Sequence, residues 1–123
     1  MRNRLVCIVN NYNYAHYLPQ CLDSALRQGF DRIVVVDDGS GDGSQAIIET
    51  YAGKSASIIP IVKPNGGQLS CFNAAAKYVE EGDLVFFLDA DDLLPRNYAS
   101  EVARVAAQEK ADFYFCEAVQ FTD

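Results

Sequence analysis

Short apolar runs alternate with stretches of helical periodicity along the whole chain, and this alternation limits the possible folds more than any other feature. Each run is rich in β-branched or aromatic residues, and the first, at residues 5–9, is typical of a strand buried on both faces. The five predicted strands are residues 5–9, 33–36, 58–62, 84–88 and 113–119. Pro60 lies inside the third run and therefore predicts that this strand is at an edge of the sheet.

Between the strands, apolar residues recur at spacings of three and four, which predicts four amphipathic helices. The first helix has Pro19 in its first turn, the third closes at Gly82 and the fourth begins near Pro95. Asp42 and Gln45 have the spacing of a capping box at the start of the second helix. The alternation favours a three-layer α/β/α sandwich of Rossmann-like type with a mostly parallel sheet.

Composition excludes several classes of function. The 123 residues predict one domain over 1–123, and 10 basic against 17 acidic residues give a net charge of −7. Nucleic acids and anionic membrane surfaces require the opposite charge, so neither is expected as a partner. No apolar run approaches the ~20 residues of a transmembrane helix. Four cysteines without C-x-x-C spacing, together with the lack of a signal peptide, predict a reduced cytoplasmic protein.

Polar residues follow the predicted strands and so collect at one edge of the sheet. Residues 10–13 follow the first strand, 37–43 the second, 65–70 the third and 89–92 the fourth. Ligands of parallel α/β sheets bind at the carboxyl ends of the strands. Five carboxylates are expected to converge there without a basic residue nearby, an arrangement that calls for a cation or raised pKa values. They are Asp37, Asp38, Asp89, Asp91 and Asp92.

One alternative follows from the fourth strand alone. Asp89-Ala90-Asp91 after an apolar strand also fits an Asp-x-Asp phosphatase of the haloacid-dehalogenase type. Such hydrolases usually carry this motif on their first strand with essential residues far downstream. Here 88 residues precede Asp89 and 34 follow it. The hydrolase is therefore the less favoured interpretation.

Three segments together are similar to those of a known enzyme family. VVVDDGS (34–40), NGGQ (65–68) and GDLVFFLDADD (82–92) occur in the order and at the spacing of family 2 glycosyltransferases of the GT-A fold. The resemblance covers essentially the whole chain. It implies the fold of a nucleotide-diphospho-sugar transferase that is truncated at its C-terminus.

For the acidic segment, the resemblance implies a metal and ribose site. Asp89, Asp91 and Asp92 would form the Asp-x-Asp element, with Mn²⁺ or Mg²⁺ on Asp91 or Asp92 and the ribose on the neighbouring carboxylate. A Lewis acid stabilises the charge that develops on a nucleoside diphosphate leaving group. Hard cations prefer such oxygen ligands.

For the other strand ends, the resemblance implies contacts with the nucleoside. Asp38 would accept a hydrogen bond from the base, the N3–H of uracil in the commonest donors. Asp37 would flank Asp38 or hold the loop, Asn10 would contact the nucleoside and Tyr12 would pack beside the base. Gly67 would let the backbone approach the donor.

The implied reaction is transfer of a sugar from a nucleotide sugar, a UDP-sugar in the commonest case, to an acceptor hydroxyl with inversion. A saccharide or a lipid-linked acceptor fits polysaccharide biosynthesis, at the inner face of the membrane through the missing part. The acceptor portion and the catalytic base would lie in that part, so no catalytic residue is assigned. The truncated sheet would expose apolar surface, which predicts self-association such as a homodimer. A non-catalytic nucleotide-binding module is the alternative.

Overall fold

A computed structural model describes residues 3–109, which form a four-stranded parallel sheet between two helical layers. The strands are β1 (Leu5–Asn11), β2 (Arg32–Asp37), β3 (Ile58–Val62) and β4 (Leu84–Asp89). The helices are α1 (Leu18–Leu26), α2 (Ser44–Lys54), α3 (Gln68–Ala75) and α4 (Tyr98–Gln108), with a 3-10 turn at Ala76–Tyr78. The first four predicted strands are confirmed, and the fifth, 113–119, lies outside the described residues.

The strand order is β3-β2-β1-β4, with every pairing parallel. Alternate β1 side chains enter different cores because successive residues of a strand point to opposite faces. Cys7 and Val9 pack with α1, α2 and α4, whereas Val6 and Ile8 pack with α3. The three-layer sandwich is therefore confirmed. Pro60 lies on β3, an edge strand of this sheet, as predicted.

Helix α3 ends earlier than its pattern predicts. The prediction carried the helix to Gly82, but α3 stops at Ala75 and a single 3-10 turn follows. Val79 then adopts an extended conformation and packs against the core on the α3 side of the sheet. Burial of this β-branched side chain outweighs continuation of the helix, because β-branched residues lose side-chain freedom in helices.

The predicted capping box of α2 is wrong. Asp42 Oδ1 does accept from the backbone N–H of Ser44 at 3.1 Å, but Gln45 does not return a bond to Asp42. Instead, Gln45 Nε2 donates to Asp37 Oδ2 at 3.1 Å. A buried carboxylate requires hydrogen-bond donors, and this requirement takes the Gln45 side chain away from the helix end.

Candidate functional site

The carboxyl ends of β1, β2 and β4 lie side by side. Asn10 is the register partner of Asp89 on β4, and Asn11 is the partner of Asp37 on β2. Beyond the strands, the Ala90 N–H donates to Asn10 O at 3.1 Å and the Asp38 N–H donates to Asn11 O at 2.9 Å. The backbone therefore places the acidic segments after β2 and β4 at the same edge of the sheet.

The segment after β4 forms a compact acidic cluster, consisting of Asp89, Asp91 and Asp92. One carboxylate oxygen from each residue lies within 4.8 Å of the others, and all three residues are exposed. The Asp92 N–H donates to Asp89 O at 2.9 Å, which closes the turn that gathers them. Partial burial, and then the charge of Asp91, raises the pKa of Asp89. The pKa of Asp92 is raised by burial and by both neighbouring carboxylates.

The acidic cluster fits a hard divalent cation. Three converging carboxylates supply the oxygen ligands that Mn²⁺, Mg²⁺ and Ca²⁺ prefer. Three carboxylates this close repel one another, and a bound cation would neutralise their charge. Exposure leaves room for further ligands from a bound molecule.

Asp37 belongs to a different environment. Its side chain is fully buried and accepts from Asn11 Nδ2 at 2.9 Å, from the Ser40 N–H at 3.0 Å and from Gln45 Nε2 at 3.1 Å. These bonds join β1, the loop after β2 and helix α2. Of the two roles expected for Asp37, this geometry supports holding the loop.

Asp38 is also buried, and its carboxylate already accepts four hydrogen bonds. Oδ1 accepts from Lys63 Nζ at 2.7 Å and from the Gly66 N–H at 2.9 Å. Oδ2 accepts from the Gly67 N–H at 3.0 Å and from Asn65 Nδ2 at 3.3 Å. Burial alone would raise the pKa of Asp38, but the bonds from Lys63, Gly66 and Gly67 outweigh it and hold that pKa below its usual value.

The expectation that five carboxylates converge without a basic partner is therefore wrong. Lys63 forms an ion pair with Asp38, and Asp37 accepts hydrogen bonds from neutral donors. Of the five predicted carboxylates, only the three of the acidic cluster after β4 are exposed. Sequence reasoning missed Lys63, although it is the first polar residue after β3. Applying the strand-end rule to that position would have found it.

The remaining predicted residues surround these groups. Asn10 is half-buried between the ends of β2 and β4, and Tyr12 is exposed on the loop after β1. The N–H of Gly67 points at Asp38 rather than outward. The Ser70 hydroxyl donates to Gly67 O at 2.6 Å, so its proton is already used at the start of α3.

The fold resembles that of solved sugar transferases. The Staphylococcus aureus TarS 1-349 structure in complex with UDP-GlcNAc superposes with a TM-score of 0.75 at 31% identity, over 85% of this chain and 31% of that chain. The Pyrobaculum calidifontis mannosyltransferase PcManGT, in complex with GDP-Man and Mn²⁺, gives a TM-score of 0.72 at 26% identity, over 84% of this chain and 31% of that chain. The fold is therefore that of the GT-A transferases.

The sequence comparisons agree with the fold. The chain belongs to glycosyl transferase family 2, whose model matches residues 6–123. An uncharacterized glycosyltransferase from Nostoc sp. is 41% identical over 93 residues, which is 73% of this chain and 29% of that protein. The chain thus spans about a third of the length of these relatives. In the part of the chain that the structure describes, no helix is long and apolar enough to span a membrane.

Proposed function

We propose that this chain carries the nucleotide-sugar site of a glycosyltransferase that uses Mn²⁺ or Mg²⁺. The observation that carries the proposal is the acidic cluster at the end of β4, with three carboxylate oxygens within 4.8 Å of one another. TarS and PcManGT, which share the fold, are described with UDP-GlcNAc and with GDP-Man and Mn²⁺. A nucleoside diphosphate sugar, such as a UDP-sugar, is the ligand class that this likeness supports.

The acidic cluster provides the diphosphate end of this site. Asp91 and Asp92 are the proposed metal ligands, and Asp89 lies beside them for the ribose. A bound divalent cation would stabilise the negative charge of the departing diphosphate. Without it, three carboxylates would repel the donor, since like charges at this distance disfavour each other.

The ends of β1 and β2 provide the nucleoside end. Asn10 lies between the acidic cluster and β2, and the exposed ring of Tyr12 is available to pack on a base. Asp37 holds the loop after β2 through its hydrogen bonds from Asn11 Nδ2 and the Ser40 N–H. A hydrogen bond from the base to Asp38 is also part of the proposal. Because the Asp38 carboxylate already accepts four hydrogen bonds, the N–H of the base would have to displace one of these donors.

The proposed reaction is transfer of the sugar to an acceptor hydroxyl with inversion. We assign no catalytic base among residues 3–109. An acceptor that is a saccharide or a lipid-linked molecule, a homodimer and a cytoplasmic location are parts of the proposal for the whole protein.

Calorimetric titration with UDP and GDP, in Mn²⁺ and in EDTA, tests the site. We expect at least one nucleotide to bind more tightly with metal. Equal affinity with and without Mn²⁺ would contradict the metal role, and no binding of either nucleotide would refute the proposed function. Hydrolysis of p-nitrophenyl phosphate that is abolished by Asp89→Asn would instead support the phosphatase alternative.

A further inference from the structure

We propose that Lys63 is a specificity-determining residue that reads the base of the bound nucleotide. Its ammonium group would donate a hydrogen bond to an exocyclic carbonyl oxygen, so that uracil or guanine is accepted and cytosine or adenine is rejected. This inference rests on the proposed function, because it needs a nucleotide at the carboxyl edge of the sheet.

The Lys63 ammonium is held in place by two of its three protons. Nζ donates to Asp38 Oδ1 at 2.7 Å and to Pro64 O at 2.6 Å. A lysine ammonium has three donors and no acceptor capacity, so one N–H remains for another partner. The side chain keeps 17% of its surface exposed, whereas the Asp38 side chain keeps 5%. In the Lys63–Asp38 ion pair, the hydrogen-bond donor left for a ligand is therefore the third N–H of Lys63.

Asp38 acts as a positioning residue in this arrangement. An ionised carboxylate has about four lone-pair sites, and Asp38 already accepts from Lys63, Gly66, Gly67 and Asn65. Its oxygens are occupied, and its charge fixes the ammonium. A Lys side chain is otherwise flexible, so this fixed position is what makes Lys63 a selective donor.

Lys63 lies at the base end of the proposed site rather than at the diphosphate end. Its N–H donates to Asp37 O at 3.0 Å, directly after β3, whereas the acidic cluster follows β4. In the order β3-β2-β1-β4 these positions are three strand intervals apart, roughly 14 Å at the usual 4.7–4.9 Å spacing. Lys63 therefore lies too far from the acidic cluster to contact a diphosphate held there, and in the proposed arrangement the base extends toward Lys63.

A single lysine donor is enough to separate the bases. Uracil and guanine present exocyclic oxygens, O4 and O6, where cytosine and adenine present amino groups, N4 and N6. An exocyclic amino group that faces the Lys63 N–H would form no hydrogen bond with it, because both groups are donors and the ammonium has no lone pair to accept. Loss of a hydrogen bond to a charged group lowers affinity by about 10- to 100-fold, so bases with the exocyclic oxygen should bind that much more tightly than bases with the amino group.

Calorimetry with UDP, CDP, GDP and ADP in Mn²⁺ tests the inference on the protein and on Lys63→Met. We expect the unchanged protein to prefer UDP or GDP over CDP and ADP by about 10-fold or more. Lys63→Met should bring the four affinities together by weakening UDP or GDP binding. Lys54→Met removes the same charge at the C-terminal end of α2 and should leave the preference intact.

Lys63→Met leaves Asp38 without its cation, so this variant is at risk of unfolding. The second measurement therefore uses the unchanged protein with the thio analogue of the preferred nucleotide, 4-thio-UDP or 6-thio-GDP. Sulfur is a weak acceptor, so weaker binding supports the inference, and equal binding overturns it. A base preference that persists in Lys63→Met, or no preference in the unchanged protein, overturns the inference alone. Failure of every nucleotide to bind overturns the proposed function as well.

Discussion

Gly39 and Asn65 face each other so closely that a β-carbon on Gly39 would lie 2.8 Å from the backbone nitrogen of Asn65. Gly39 also has a φ of +78°, a conformation that disfavours other residues. Asn65 Nδ2 donates to Asp38 O at 3.0 Å in the same contact. The loop after β2 and the loop after β3 are therefore one unit, built around Asp38.

Gly39→Ala should break this unit. The positive φ alone costs about 1–2 kcal/mol for an alanine, and the close contact with Asn65 adds to it. We expect a lower free energy of unfolding in urea and weaker nucleotide binding by calorimetry. Gly41→Ala is the matched control, because a β-carbon there meets nothing within 4 Å. Equal free energies of unfolding in the two variants would show that the contact between Gly39 and Asn65 does not contribute to stability.

Asp91→Asn should have opposite effects on the metal-free and the metal-bound protein. After burial, the charge of Asp91 is the next cause that raises the pKa of Asp89 and of Asp92. Raised carboxyl pKa values in the folded state mean that stability is lost as the pH rises from the ordinary value, near 4, through the raised folded values. Removing the Asp91 charge should therefore stabilise the metal-free protein at neutral pH.

In Mn²⁺, the same variant should gain less stability than the unchanged protein, because it binds the cation more weakly. Thermal denaturation in EDTA and in Mn²⁺ measures both effects. Glu49→Gln, on the exposed surface of α2, should change neither. An undiminished Mn²⁺ shift in Asp91→Asn would remove this residue from the metal site.

Asp83→Asn should destabilise the protein in a pH-dependent way. Arg4 donates to both oxygens of the buried Asp83 carboxylate, from Nε at 3.0 Å and from Nη2 at 2.8 Å. The hydrogen bond from Arg4 lowers the pKa of Asp83. A lowered carboxyl pKa contributes stability above the unfolded value, and this is lost as the pH falls through the folded value.

The difference in unfolding free energy between the protein and Asp83→Asn should thus be greatest at neutral pH and shrink below about pH 4. Urea denaturation at several pH values gives this profile. Glu101→Gln breaks the exposed pair with Arg104 and should have little effect, since exposed ion pairs contribute little. A pH-independent difference would mean that Asp83 acts through packing alone.

Ser24→Ala should loosen the segment that follows the acidic cluster. The buried Ser24 hydroxyl accepts from the Leu94 N–H at 3.1 Å and donates to Cys21 O at 2.7 Å. Removing it leaves the part-buried Leu94 N–H without this acceptor, and the cost should lie below the roughly 1–3 kcal/mol of a fully buried unsatisfied donor. We expect lower stability in urea and weaker Mn²⁺ binding.

Ser100→Ala removes a hydroxyl bonded to Asn97 O on the exposed surface of α4 and is the control. Equal Mn²⁺ affinity in the two variants would show that the hydrogen bond from the Leu94 N–H to Ser24 does not affect metal binding by the acidic cluster.

Apolar runs predicted the strands and helical periodicity predicted the helices, because both patterns follow from burial of nearby residues. The first four strands and the four helices are confirmed, although α3 is shorter than predicted. Local rules failed where a distant group competed. Gln45 has capping spacing but bonds to Asp37, and α3 ends at Ala75 while the half-buried Val79 packs against the core.

Sequence by itself determined the parallel α/β architecture and the acidic segment after β4, because both depend on short-range patterns: apolar runs, and carboxylates two residues apart at a strand end. Only the tertiary structure decided that Asp37 and Asp38 are buried and satisfied while Asp89, Asp91 and Asp92 stay exposed. Lys63 reaches Asp38 from 25 residues away, across the β2–β3 pairing. A buried carboxylate is stable only with such donors, and their positions are set by strand register and loop packing, which no local pattern records.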